Sequence, residues 1–160
     1  MMQICEYKDT YQQGILQMIL EIQQQEYHLP ITAEDQPDLA NIPSFYQQEN
    51  GNFWAAVDDG AVVGSIALKN IGHGNAVLRK MFVKKEYRGK EPGVSRALLT
   101  QLIDWAREKN FSRIYLGTTP QFLAAHRFYE KNGFVEIGQE ELPAEFPVME
   151  VDKKFYCYRL

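Results

Sequence analysis

A cationic, glycine-containing turn stands between an apolar strand and a helix. Leu78 to Val83 reads as the strand, Lys84-Lys85-Glu86-Tyr87-Arg88-Gly89-Lys90-Glu91-Pro92-Gly93 as the turn, and Val94 to Trp105 as the helix. Glycine lets the backbone come close to an anion, and a helix N-terminus points free N–H groups at it from the positive end of the dipole. The Lys and Arg side chains add charge of the same sign. Phosphate binding is the chemistry that such a turn suits. The candidate ligands are Arg88, Gly89 and Lys90, then Gly93, Val94 and Ser95. The chain has no Gly-Lys-Ser/Thr here, which excludes a Walker A loop, and no Gly-x-Gly-x-x-Gly, which excludes the dinucleotide fingerprint. Taken alone, a solvated basic turn accounts for the loop as well as an anion site does.

The elements that must hold this turn follow from periodicity. Ile4 to Tyr7 predicts a first strand, with Asp9 or Thr10 capping a helix whose apolar stripe runs from Ile15 to Ile22. Tyr27 to Asn41 carries Pro30 and Pro37, so it reads as a connection with a short helical turn. Ile42 to Gln48 predicts a second short helix. Phe53 to Val57 and Ala61 to Leu68 form a hairpin around Asp58-Asp59-Gly60, and a second turn at Ile71 to Asn75 leads into the strand Ala76 to Val83. Beyond the central helix, Ser112 to Thr118 is a strand, and strand–helix–strand implies a parallel crossover. Thr119 and Pro120 read as the N-cap and first residue of a helix over Phe122 to Asn132, with Gly133 as its stop. Phe134 to Glu140 and Val148 to Tyr158 read as the closing strands. The fold class is therefore mixed α/β: one domain over residues 1–160, its mostly antiparallel mixed sheet flanked by helices.

The composition is that of an ordinary globular chain, 45% hydrophobic and 24% charged, with a formal charge of −4 and a pI near 5.4. An acidic balance speaks against nucleic acid as a partner. No run approaches ~18 apolar residues, so no membrane span is expected, and the N-terminus lacks the pattern of a secretory signal. The cytoplasm is the expected location. Cys5 and Cys157 are expected as free thiols, and no His–carboxylate set has metal spacing.

A second segment gives the basic turn a context. It reads Ala124-Ala125-His126-Arg127-Phe128-Tyr129-Glu130-Lys131-Asn132-Gly133-Phe134. Paired with Val83 and Arg88 of the turn, the residues Ala125, Tyr129, Glu130, Gly133 and Phe134 resemble the GCN5-related N-acetyltransferase (GNAT) superfamily. The element order resembles that acyl-CoA N-acyltransferase fold over essentially the whole chain. The resemblance implies acetyl-CoA as cosubstrate and transfer of its acetyl group to a primary amine of a small molecule or peptide by direct attack. It implies that Arg88, Gly89, Lys90, Gly93, Val94 and Ser95 hold the pyrophosphate, and that the backbone of Met81, Phe82 and Val83 holds the pantetheine arm. It also implies that Tyr129 protonates the departing thiolate, and that two chains pair through their last strands. A phenol with a pKa of about 10 is protonated at neutral pH, which suits that role.

The chain departs from the family pattern in several places. Lys90-Glu91-Pro92 makes the turn two residues longer than usual, Ser95 replaces a Gly or Ala, and Phe122 stands where an Asn is common. Where many members carry a Glu base on the strand before the loop, this chain has Arg79 and Lys80. Glu34, Asp35, His28, His73 and Glu150 are the substitutes the sequence offers. The acids Glu34, Asp35 and Asp38 of the long connection would suit a cationic amine, and the loop from Glu141 to Pro147 is expected to flank the same cleft. The rival reading is a CoA-binding sensor or interaction module that keeps the fold without catalysis.

Overall fold

Apolar runs broken by two-residue polar turns fold back on themselves as a meander. Asp59-Gly60 and His73-Gly74 close its two hairpins, and all four residues have the positive φ that such tight turns require. The computed structural model describes residues 1–89 and 93–160. Lys90, Glu91 and Pro92, which the sequence reading places in the anion loop, lie outside the described residues.

The strands are β1 Met2–Glu6, β2 Asn52–Asp58, β3 Ala61–Gly72, β4 Asn75–Val83, β5 Arg113–Thr118, β6 Val135–Ile137 and β7 Lys154–Arg159. The helices are α1 Gln12–Leu20, α2 Ile42–Phe45, α3 Val94–Glu108 and α4 Leu123–Lys131. One seven-stranded sheet has the order β1-β2-β3-β4-β5-β7-β6. Its pairs are antiparallel apart from β4 with β5, which run parallel across the α3 crossover.

Alternation along the strands feeds two cores. On β2, Trp54 and Ala56 face α3 and α4, while Phe53, Ala55 and Val57 face α1 and α2. The first core gathers Leu98 and Leu102 of α3 with Tyr129 and Phe134; the second gathers Ile15 and Ile19 of α1 with Tyr46. Each fully buried leucine or isoleucine contributes roughly 1.5–3 kcal/mol. Gly64 lets α3 sit close on the sheet, since a Cβ there would meet Leu98 Cδ1 at 3.0 Å and Val94 Cγ1 at 3.2 Å.

Several boundaries differ from the sequence reading. α1 runs on into a wide π-type turn over Glu21–Glu26 that brings Tyr27 N to the Ile22 carbonyl at 3.1 Å. Thr119 does not cap α4. The helix starts at Leu123, because His126 donates from Nε2 to the Thr119 carbonyl at 2.9 Å and Phe122 is held edge-on against Tyr27, their centroids 4.7 Å apart. β6 ends at Ile137, and a short helical turn over Gln139–Glu141 follows. β7 begins at Lys154 rather than at Val148. The alternation from Val148 to Asp152 belongs to a loop that turns through the Asp152 N–H to the Met149 carbonyl at 3.0 Å.

Candidate active site

The site begins where two parallel strands stop pairing. β4 and β5 are in register only over Asn75–Arg113, Ala76–Ile114 and Val77–Tyr115. β4 continues to Val83 with β3 alone beside it, so past Val77 its other edge faces no strand among the described residues. Unpaired backbone N–H and C=O groups then face a cavity of about 780 Å³. Met81, Phe82 and Val83 line one wall; Ala125, Phe128 and Tyr129 of α4 line the other. Ile22, Tyr27 and Phe122 cover it from the α1 side, and Arg88, Gly89, Gly93 and Ser95 surround one end.

Most of the residues singled out in the sequence therefore meet in one place. Val94 does not line the cavity: its side chain is fully buried in the core beneath α3, which leaves only its backbone to serve a ligand. Gly93 takes φ 74° at the N-cap of α3, a conformation that suits glycine, and Gly89 has φ 101° with open space where a Cβ would stand. Such a turn admits phosphate oxygens close to the backbone.

Arg88 lines the cavity, but its guanidinium is engaged. It donates from Nε to the Val83 carbonyl at 2.8 Å and forks onto Glu26, with Nη2 2.7 Å from Oε1 and Nη1 against Oε2. The pair ties the end of α1 to the basic turn, and it holds the Glu26 carboxyl below its usual range. Three further cations stand around the same cavity, Arg96 on α3 with Arg127 and Lys131 on α4. The sequence reading missed these. The i, i+4 spacing of Arg127 and Lys131, on the helix that carries Tyr129, was the available signal.

Tyr129 is 6% exposed and packs against the rings of Phe134 and Tyr156 at 5.5 and 6.0 Å. Burial pushes its phenol well above the ordinary value, so it stays protonated across the physiological range. Its hydroxyl has no hydrogen-bond partner among the described residues, whereas the neighbouring Glu130 accepts from the Tyr156 hydroxyl at 2.6 Å. A protonated donor on a residue that lines the cavity is placed to serve a developing anion.

The substitutes for a base do not converge here. Asp35 accepts from Thr32 N and Oγ1, both at 3.0 Å, and His73 faces Glu145 at 3.9 Å on the surface. Glu34, His28 and Glu150 are exposed. None of the five lines the cavity, and no carboxylate or histidine does so among the described residues. Cys5 and Cys157 are free thiols. Among the described residues no helix is long and apolar enough to cross a membrane.

The donor set fits the cosubstrate that the sequence resemblance implies. A strand edge with free amides suits the amide-rich pantetheine arm, and the glycine turn with Arg96, Arg127 and Lys131 suits phosphates at the cavity's end.

Comparison with known proteins agrees. The profile of the Acetyltransferase (GNAT) family matches residues 16–134. An N-acetylaspartate synthetase of Danio rerio is 41% identical over 106 residues, covering 65% of this chain and 37% of that protein. The chain thus spans little more than a third of that relative's length. An acetyltransferase of the GNAT family from Staphylococcus aureus Mu50 superposes with a TM-score of 0.95 at 38% identity, over 99% of both chains. The PaiA N-acetyltransferase of Thermoplasma acidophilum, solved in complex with coenzyme A, shares the fold at a TM-score of 0.76 and 18% identity, over 100% of this chain and 99% of that one. With the motif residues, the split strands and the matched profile in one place, the chain belongs to the GNAT acetyltransferase family.

Proposed function

We propose that this protein transfers an acetyl group from acetyl-CoA to a primary amine of a small molecule or peptide by direct attack. The observation that carries the reading is the placement of Tyr129, which lines one cavity with the unpaired edge of β4 and the glycine turn. The backbone of Met81, Phe82 and Val83 binds the pantetheine arm as an added strand would. Gly89, Gly93, the backbone of Val94, Ser95 and the nearby cations hold the phosphates, and Arg88 shapes the turn through Glu26.

The amine nitrogen, once it has lost its ammonium proton, attacks the thioester carbonyl carbon. A backbone N–H on the Met81–Val83 edge polarises that carbonyl and stabilises the oxyanion. The C–S bond then breaks, and the sulfur takes the phenolic proton of Tyr129 as it leaves. The nitrogen releases its remaining extra proton to water, and Tyr129 regains one from the same pool. Among the described residues no carboxylate or histidine lines the cavity, so water is assigned as the proton acceptor. The reading extends to a cytoplasmic enzyme that pairs through its last strands, where β6 is the sheet edge and Val135 is 65% exposed.

A thiol-release assay tests the central role. Tyr129→Phe is expected to lower turnover by about 100-fold, in the range typical of a general acid, while acetyl-CoA affinity holds. Equal turnover in the variant removes Tyr129 from the mechanism.

A further inference from the structure

The first cation of the glycine turn does not meet an incoming anion alone. Arg88 commits Nε to the Val83 carbonyl at 2.8 Å, and its Nη1 and Nη2 fork takes both carboxylate oxygens of Glu26. The charge of the guanidinium is thereby matched within the chain. The side chains keep only 30% of their surface exposed at Arg88 and 27% at Glu26, so water and salt screen the pair less than they would a surface pair. A bidentate fork also fixes direction as well as distance.

The three contacts land on three pieces of the site. Val83 ends β4, whose edge toward β5 is unpaired beyond Val77. Arg88 stands immediately before Gly89, the residue at φ 101° that opens the turn. Glu26 ends the π-type turn after α1, and its neighbours Ile22 and Tyr27 line the cavity. The start of the basic turn is held from β2, where Asp58 accepts from the Tyr87 hydroxyl at 2.7 Å. The next residue is held from the α1 side by Glu26, one step before the chain reaches glycine. Charge for the phosphates comes from elsewhere. Arg96, Arg127 and Lys131 line the same cavity, and among the described residues none of them has a carboxylate within 4.0 Å.

We infer that Glu26 is a positioning residue for acetyl-CoA: by clamping Arg88 against the Val83 carbonyl, it sets the glycine turn at the distance from the β4 edge that the pyrophosphate needs. The inference rests on the acetyltransferase reading above. It makes Arg88 a strut between strand and turn, with Glu26 acting through it. A turn held ready binds more tightly than one that must be ordered as the ligand arrives. The opposite role, in which Glu26 merely competes with phosphate for Arg88, has the opposite sign: removing the carboxylate would then tighten binding.

The test compares two thioesters, acetyl-CoA and S-acetylpantetheine, which keeps the amide-rich arm and lacks the phosphates. Dissociation constants are measured by calorimetry for the first and by NMR titration for the second. Glu26→Gln is expected to weaken acetyl-CoA by about tenfold, within the range of coupled neighbours, and to leave S-acetylpantetheine unchanged. Equal weakening of both ligands is what a purely structural role would give, and it overturns the inference. Unchanged or tighter binding of acetyl-CoA overturns it too. A second comparison sets Arg88→Gln beside the double variant Arg88→Gln/Glu26→Gln, neither of which holds an unpaired guanidinium, so it stands even where Glu26→Gln alone does not fold. The two are expected to bind acetyl-CoA equally, and a further loss in the double variant overturns the route through Arg88. Failure of the wild type to bind acetyl-CoA overturns instead the acetyltransferase reading on which the inference rests.

Discussion

The two sides of the strand split are built differently. On the side of α3 and α4, the cavity wall is backbone edge, glycine turn and apolar rings, with Arg96, Arg127 and Lys131 around it. On the side of α1 and α2 stands a side-chain network in which Gln23, Gln36, Asp38, Tyr46 and Lys80 hold one another, none of them lining the cavity. The first kind of wall suits features that any CoA thioester shares, the amide-rich arm and the phosphates. The second is a closed network whose members satisfy one another. A backbone site survives most side-chain changes, whereas a buried polar network loses its geometry when one member goes.

That contrast orders the expected effects of substitution. The largest is Tyr129→Phe, at about 100-fold in turnover, because the group acts only in the transition state. Tyr46→Phe comes next on the other side. It leaves the buried Asp38 carboxylate without its 2.6 Å donor, which costs about 1–3 kcal/mol in urea unfolding. Unchanged stability would mean that the network is looser than its distances show. Arg127→Glu is expected to weaken acetyl-CoA binding by about tenfold, or ~1.4 kcal/mol, without moving the acceptor KM. An effect on the acceptor instead would dissolve the distinction between the two walls. Gly93→Ala forces a left-handed φ on a residue with a Cβ and costs about 1–2 kcal/mol, visible as a lower unfolding midpoint.

The smallest effect is one of pH. Burial lowers the Lys80 ammonium to about 8, against the opposing pull of Asp38. The groups facing it are Asp38, the Tyr46 phenol held well above its ordinary value, and the Arg79 guanidinium. The unfolded chain keeps its lysine protons up to about 10.4. Between those values the unfolded state binds more protons, so this group makes stability rise with pH. Its charge in the folded protein is lost over the same window. The free energy of unfolding is therefore expected to begin rising above about pH 8. Lys80→Arg, which keeps its charge, is expected to remove that inflection; an inflection that persists in the variant assigns it to another group.

The same contrast explains what was legible in the sequence. Asp59-Gly60 and His73-Gly74 announced the hairpins, since local turn chemistry decides them. The glycine turn before α3 and the Tyr129 segment were legible because backbone sites need fixed residue types at fixed spacing. The start of α4 was not, since a Thr-Pro cap signal yielded to tertiary ties of Phe122 and His126. Nor was the clasp of Glu26 on Arg88, whose partners lie 62 residues apart. The buried polar network was the least legible part. Its members come from the π-type turn after α1, the long connection, the end of α2 and β4, and a bulge turns Lys80 to the face that alternation would deny it.

Calorimetric titration with acetyl-CoA and with free CoA tests the cavity wall most directly. Binding of both in the micromolar range, weakened in parallel by Arg127→Glu, is the expected result. The absence of binding by either ligand would contradict the assignment of the split between β4 and β5 as an acetyl-CoA site.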